Sequence, residues 1–318
     1  MVVHSQSQPA IELRRLHRFF GATRAVNDLT LQIGRGVIFG FIGPNGAGKT
    51  TTMRILATLD LPTYGDALVS GFSAVTDPER VQKRLGFMPD HYGVYRYMTC
   101  AEYLDFFARA YGLVGRERQR RIEWVMSFTG IDKLAEKPMR ALSKGMRQRL
   151  CLGRAMIHDP DVLVLDEPAA GLDPRARIEL REMIGELAGD GKTILISSHI
   201  LSELAEIADQ FGIIEQGDLI AAGTLEEIKR RAAGDHVLEL RLLDDAPRLA
   251  RWLEAHRDVS DVEQHGETFH LRHRGASEAA DAAFLKELIA AGFAVTAFGA
   301  KEESLEDIFM KITEGLVQ

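Results

Sequence analysis

The run Gly43-Pro44-Asn45-Gly46-Ala47-Gly48-Lys49-Thr50-Thr51 has the residue types that hold a chain of phosphates. Its glycines let the backbone turn tightly, so that successive N–H groups point inward at anionic oxygens. The run follows a predicted strand and opens a predicted helix, whose N-terminal dipole adds positive potential at the same point. Lys49 is placed to reach the β- and γ-phosphates, and the Thr50 hydroxyl to ligate Mg²⁺. Farther along, Val162-Leu163-Val164-Leu165 ends in Asp166-Glu167, two acids where a buried strand emerges. Asp166 suits a Mg²⁺ ion held through its water shell, and Glu167 suits the polarising of an attacking water. These residues imply a nucleoside triphosphate site with a metal and a general base.

Such a site needs parallel strands that deliver their ends to one edge. From Ile11 to about Arg231, short β-branched runs alternate with longer amphipathic stretches, the pattern of an α/β protein on a largely parallel sheet. Val37–Ile42, Asp161–Asp166 and Thr193–Ser197 are apolar runs too short for helices and read as buried strands. Asp77-Pro78 and Asp173-Pro174 each predict a capped helix start, and Thr99 with Glu102 has capping-box spacing. The strong motifs stop near Arg230–Asp235, which sets domains at 10–232 and 236–318. Beyond that boundary the order reads strand 237–243, helix 246–256, strand 259–264, strand 268–273, helix 277–291 and strand 293–299, a βαββαβ, ferredoxin-like α+β unit. A last helix is expected after Ser304.

The chain has 318 residues, enough for about two domains, and a net charge of −7 from 39 basic and 46 acidic side chains. That balance gives no bulk electrostatic reason to seek nucleic acid. The cysteines, Cys100 and Cys151, build no disulfide framework, which fits a reducing compartment. No apolar run approaches the roughly 20 residues of a membrane span, and the first residues lack a signal-peptide pattern. The expectation is a cytosolic chain without a direct membrane span.

Further residues carry a family resemblance. Leu142-Ser143-Lys144-Gly145-Met146-Arg147-Gln148 resembles the ABC signature, Ala170-Gly171-Leu172-Asp173 the D-loop, His199 the switch histidine, and Phe20 the aromatic that stacks on adenine. The resemblance covers about residues 11–230 in the family's order. The chain resembles the ATP-binding subunit of an ABC transporter, most of all the long-tailed ABC-2 export branch that includes drug-resistance and antibiotic self-protection exporters. The fold it implies is a P-loop NTPase domain with a helical subdomain at about 91–158.

The resemblance further implies that two copies pair head to tail around two ATP molecules, with Ser143 and Gly145 of one completing the γ-phosphate site of the other. It implies a separately encoded membrane permease, peripheral placement on the cytoplasmic face of the cell membrane, and docking of the permease on the aromatic-rich segment after Asp90. Leu104, Phe107 and Tyr111 also fit a helix core, leaving Tyr92, Tyr95 and Tyr97 for a partner. Two departures stand out. Asp90 occupies the position of the usual Q-loop glutamine, where it can accept a hydrogen bond from Mg²⁺-bound water but not donate one when ionised. Lys144 replaces a usual glycine.

The tail holds His256, His265, His270 and His273. His270 and His273 fall on opposite faces of a strand, poor geometry for a shared metal, so the tail is expected to act in the dimer or in assembly. A competing reading is a soluble ABC-type ATPase acting on ribosomes or nucleic acid. The phosphate loop occurs once, and no long coiled coil separates Thr50 from Leu142, which disfavours it. A regulatory nucleotide-binding module without turnover is disfavoured by Glu167 and His199.

Overall fold

A hairpin opens the described residues: Ile11 and Leu13 alternate inward, a register shift brings Leu16 inward as well, and Gly21, at φ 59°, takes the left-handed turn before the return strand. The computed structural model describes residues 8–91, 93, 95–232, 237–273 and 277–300. By its internal contacts the chain divides into two compact units that meet at Ile228 and Lys229.

In the first unit β1 (Ile11–Phe20) pairs antiparallel with β2 (Thr23–Ile33), in the register Ile11 to Ile33 and Leu13 to Leu31. Next come β3 (Ile38–Ile42), α1 (Lys49–Leu56), β4 (Tyr64–Val69), β5 (Phe72–Ser73), α2 (Pro78–Gln82) and β6 (Leu85–Met88). The helices α3 (Cys100–Ala110), α4 (Gly115–Phe128) and α5 (Lys144–Met156) precede β7 (Val162–Leu165), α6 (Pro174–Gly189) and β8 (Thr193–Ser198). The unit closes with α7 (Leu201–Ala205), β9 (Gln210–Glu215), β10 (Asp218–Gly223) and the start of α8 (Leu225–Ala232).

Two sheets result. One is antiparallel in the order β2-β1-β4-β5. The other runs β10-β9-β3-β8-β7-β6 and is parallel except at its β10 edge. Every residue of β3, β7 and β8 is buried, so their near-continuous apolar runs reflect cover on both faces. The parallel sheet matches the expectation. The antiparallel one departs from it, since β1, β2 and β4 form a sheet of their own.

The α3–α5 segment has its own core of Tyr103, Leu104, Val125, Met139, Leu150 and Ile157. Thr99 and Glu102 form the expected capping box on α3, and Asp173 caps α6 by accepting from the Ala176 N–H at 2.9 Å. Asp77 is a correction: it precedes Pro78 at the start of α2, yet its carboxylate accepts from the Thr76 hydroxyl instead of capping.

The second unit contains β11 (Val237–Leu242), α9 (Ala246–Glu254), β12 (Val259–His265), β13 (Thr268–His273), α10 (Glu278–Ala290) and β14 (Val295–Ala300). Its sheet is antiparallel in the order β12-β13-β11-β14, as a ferredoxin-like βαββαβ unit requires. Leu238, Leu240, Phe269 and Leu271 pack with Leu249, Leu253, Phe284 and Leu288 from the helices. The helix expected after Ser304 lies outside the described residues, as does Tyr92.

Candidate nucleotide site

Because β3, β6, β7 and β8 run parallel, the segments that follow them leave the sheet at one edge. The register sets Ile42 beside Ser198, Leu165 beside Ile196 and Met88 beside Leu165. The phosphate loop, Asp90, Asp166-Glu167 and His199 all follow directly from these positions. Residues distant in sequence therefore meet through strand register alone.

The loop is a fitted cradle. Gly46 and Gly48 have φ of 83° and 106°, and a Cβ on Gly48 would overlap the Ala25 carbonyl oxygen. A Cβ on Gly43 would likewise overlap the Ile214 carbonyl oxygen, so side chains are excluded at both positions. The Ala47 N–H donates to the Pro44 carbonyl at 3.1 Å, and the Gly217 N–H donates to the Ala47 carbonyl at 3.0 Å. α1 starts at Gly48 without a side-chain cap, which leaves its first N–H groups to an external acceptor. Asn45 and Gly46 are exposed, Pro44 and Thr51 half-buried, and Thr50 exposed at the helix start.

Lys49 is buried, and its Nζ donates to the Gly43 and Pro44 carbonyls at 2.5 and 3.2 Å. Burial lowers its pKa, partly offset by the carboxylates of Glu167 and Asp166. Asp166 is also buried, and burial holds its carboxyl above the ordinary range despite hydrogen bonds from Ser197 and Thr50. Asp90 and Glu167 raise it further, because each nearby like charge disfavours the ionised form.

Ser197 ties the two acids together. Its hydroxyl donates to Asp166 at 2.8 Å and accepts from the Glu167 N–H at 2.9 Å. Glu167 sits at φ 48°, a strained region for a non-glycine residue that the Ser197 contact helps to hold. Glu167 Oε2 accepts from His199 Nδ1 at 2.7 Å, which fixes the tautomer because an ionised carboxylate only accepts. Glu167 Oε1 is buried without a hydrogen-bond partner among the described residues, with Lys49 Nζ 3.9 Å away. A buried, unpartnered carboxylate oxygen beside a phosphate cradle is suited to a water or metal-bound water. Asp90 is half exposed, with His91 Nδ1 2.7 Å from its carboxylate. Phe20 is 48% exposed at the end of β1, with the Arg18 guanidinium 4.4 Å above its ring.

Ser143, Gly145 and Asp173 gather in a second cluster. Ser143 caps α5 through its hydroxyl and remains exposed, while Gly145 approaches Ala176 of α6. Gln148 ties this cluster to the acids by donating to the Pro168 carbonyl at 2.6 Å. Ser197 escaped sequence reading as a site residue, since only the β7–β8 register places it beside Asp166. Arg154 did too; it donates to the Phe87 carbonyl at 2.9 Å, linking α5 to the strand that leads to Asp90.

A family described as "ABC transporter" matches residues 26–170, and "ATP-binding protein DrrA1-3-like, C-terminal domain" matches residues 223–313. The daunorubicin/doxorubicin resistance ATP-binding protein DrrA of Streptomyces peucetius is 33% identical over 314 residues, 98% of this chain and 94% of that one. The chain belongs to the ATP-binding subunits of ABC transporters. The bacitracin transport ATP-binding protein BcrA of Bacillus licheniformis is 34% identical, over 96% of this chain and 97% of that one. A solved ATP-binding subunit of an ABC transporter is 32% identical, with a TM-score of 0.64 over 70% of this chain and 92% of that one. As an ABC ATP-binding subunit of the long-tailed ABC-2 branch, the chain is an ATPase. None of its described helices is long and apolar enough to cross a membrane.

Proposed function

We propose that the chain is the motor of an exporter. Two copies bind and hydrolyse ATP with Mg²⁺ between them and drive a separate permease. The observation that carries this reading is the meeting of Lys49, Thr50, Asp166, Glu167 and His199 at one sheet edge. Thr50 and Asp166 would hold the Mg²⁺, with Asp90 facing its water shell. The ion would supply charge neutralisation between the β- and γ-phosphates. Lys49 leaves the Gly43 and Pro44 carbonyls for phosphate oxygens. Glu167 Oε1 takes the proton side of the attacking water, while His199 holds Oε2 and so aims the carboxylate.

The exposed Ser143 hydroxyl and the first turn of α5 offer donors to an anion supplied by a second copy. DrrA and BcrA are named for resistance and transport, which supports export for this chain. The groove for a permease is lined by Leu85, Phe87, Pro89, Phe107, Tyr111 and Arg154. Tagged chain used as bait in detergent-solubilised membranes of its own cells tests this. Retention of a multi-span membrane protein, lost when Phe107 and Tyr111 are changed to Asp, is expected. Retention of ribosomes or nucleic acid in its place would overturn the transport reading.

A further inference from the structure

In the C-terminal unit α9 and α10 pack on one face of the sheet, and among the described residues of this unit no helix packs on the other, called here the open face. Alternation along β11 and β13 sends Leu238, Leu240, Phe269, Leu271 and His273 to the covered face. The open face receives Glu239 and His270, which stand opposite each other in the register, and Glu263 of β12, which stands opposite His270. His265, two residues beyond Glu263 and paired with Thr268, shares that face at the hairpin end. Neither the phosphate cradle nor the signature cluster makes use of these four residues.

Their geometry is that of ligands. His265 Nε2 is 3.7 Å from Glu263 Oε2, and His270 Nε2 is 3.3 Å from Glu239 Oε2. The two imidazole rings stand 5.3 Å apart, and one ligand atom from each of Glu263, His265 and His270 lies within 4.8 Å of the others. Atoms bound about 2.0–2.2 Å from one ion stand roughly 3–4 Å apart. Glu263 and His265 are 74% and 63% exposed, so small rotamer changes close the difference. Arg272 on the same face is paired with Asp261 at 3.3 Å.

We propose that Glu263, His265 and His270, with Glu239 steadying His270, form a site for one divalent transition-metal ion of the zinc type that clamps the β12–β13 hairpin to β11. Two imidazoles with carboxylates favour Zn²⁺, Co²⁺ or Ni²⁺ over Mg²⁺ and Ca²⁺, which take all-oxygen shells. Glu239 occupies Nε2 of His270, which leaves Nδ1 for the ion, and a carboxylate on the other nitrogen of a metal-bound imidazole orients the ring. The expectation of a metal-free tail rested on His270 and His273. Those two do face apart, and the partners of His270 lie instead on the neighbouring strands.

The test uses untagged, chelator-stripped full-length chain held in excess Mg²⁺ and ADP, so that the nucleotide site is already supplied. Calorimetric titration with Zn²⁺ is expected to show one ion per chain. Co²⁺ is expected to give visible d–d absorption without a thiolate charge-transfer band, since both cysteines are buried in the first unit. His265→Ala and Glu263→Gln, both at exposed positions, are expected to weaken Zn²⁺ binding about tenfold or more while leaving the metal-free melting temperature unchanged. His256→Ala, outside the cluster, is expected to keep wild-type affinity. Absence of stoichiometric uptake, or wild-type affinity in both cluster variants, overturns the site.

Discussion

Glu167 shows how much one side chain's two oxygens can differ. Oε2 is taken by His199, while Oε1 is buried and aimed at Lys49 across 3.9 Å. Glu167→Gln keeps the shape and removes the base, so steady-state phosphate release is expected to fall about 10²–10⁴-fold with ATP affinity retained. Lys49→Ala removes the one buried cation of the cradle. Calorimetry is expected to show weaker ATP binding, and unchanged affinity would contradict the placing of Lys49 on the phosphates. These residues were legible in the sequence because their chemistry needs fixed types at fixed spacing. Ser197 was not, because any strand can end in serine and only strand register reveals the contact.

At the scale of elements, the strands most visible in the sequence are those buried on both faces: β3, β7 and β8. The β1–β2–β4 sheet was not visible, because its pairings join distant segments and its alternating strands show no sign of which partner they take. Asp77 failed as a cap for a similar reason, with Thr76 competing for its carboxylate.

The join between α3, α5 and β6 gives a pH prediction. His158 is half-buried, stacks on Tyr111 at 3.7 Å and donates from Nε2 to the Leu85 carbonyl at 3.2 Å, while its Nδ1 has no partner among the described residues. Burial pushes its pKa down to about 4 from 6.5. Between those values the unfolded chain binds the extra proton, so stability is present above pH 6.5 and declines as pH falls toward 4. Denaturant melts are expected to lose about 2 kcal/mol from this group between pH 7 and pH 5. His158→Gln is expected to remove that component, and an unchanged pH slope would refute it. In the same region, Asp90→Ala is expected to blunt permease stimulation more than ATP affinity, and Asp90→Gln to be milder. Full stimulation in Asp90→Ala would make Asp90 a loop acid only.

At the scale of the whole molecule, the proposed pairing makes the phosphate cradle and the Ser143 cluster each half of a site, with a second copy supplying the complement. The most direct measurement mixes two variants that are inactive alone, Ser143→Arg and Glu167→Gln, before ATP is added. In a mixed pair, the intact Lys49–Glu167 half of the first variant faces the intact Ser143 of the second, while the opposite site is doubly disabled. Random pairing of equal amounts then restores ATP hydrolysis to about a quarter of the wild-type rate, if each site works alone in a twofold pair. A mixture as inactive as its two components would contradict the shared site, since sites complete within one chain gain nothing from a partner.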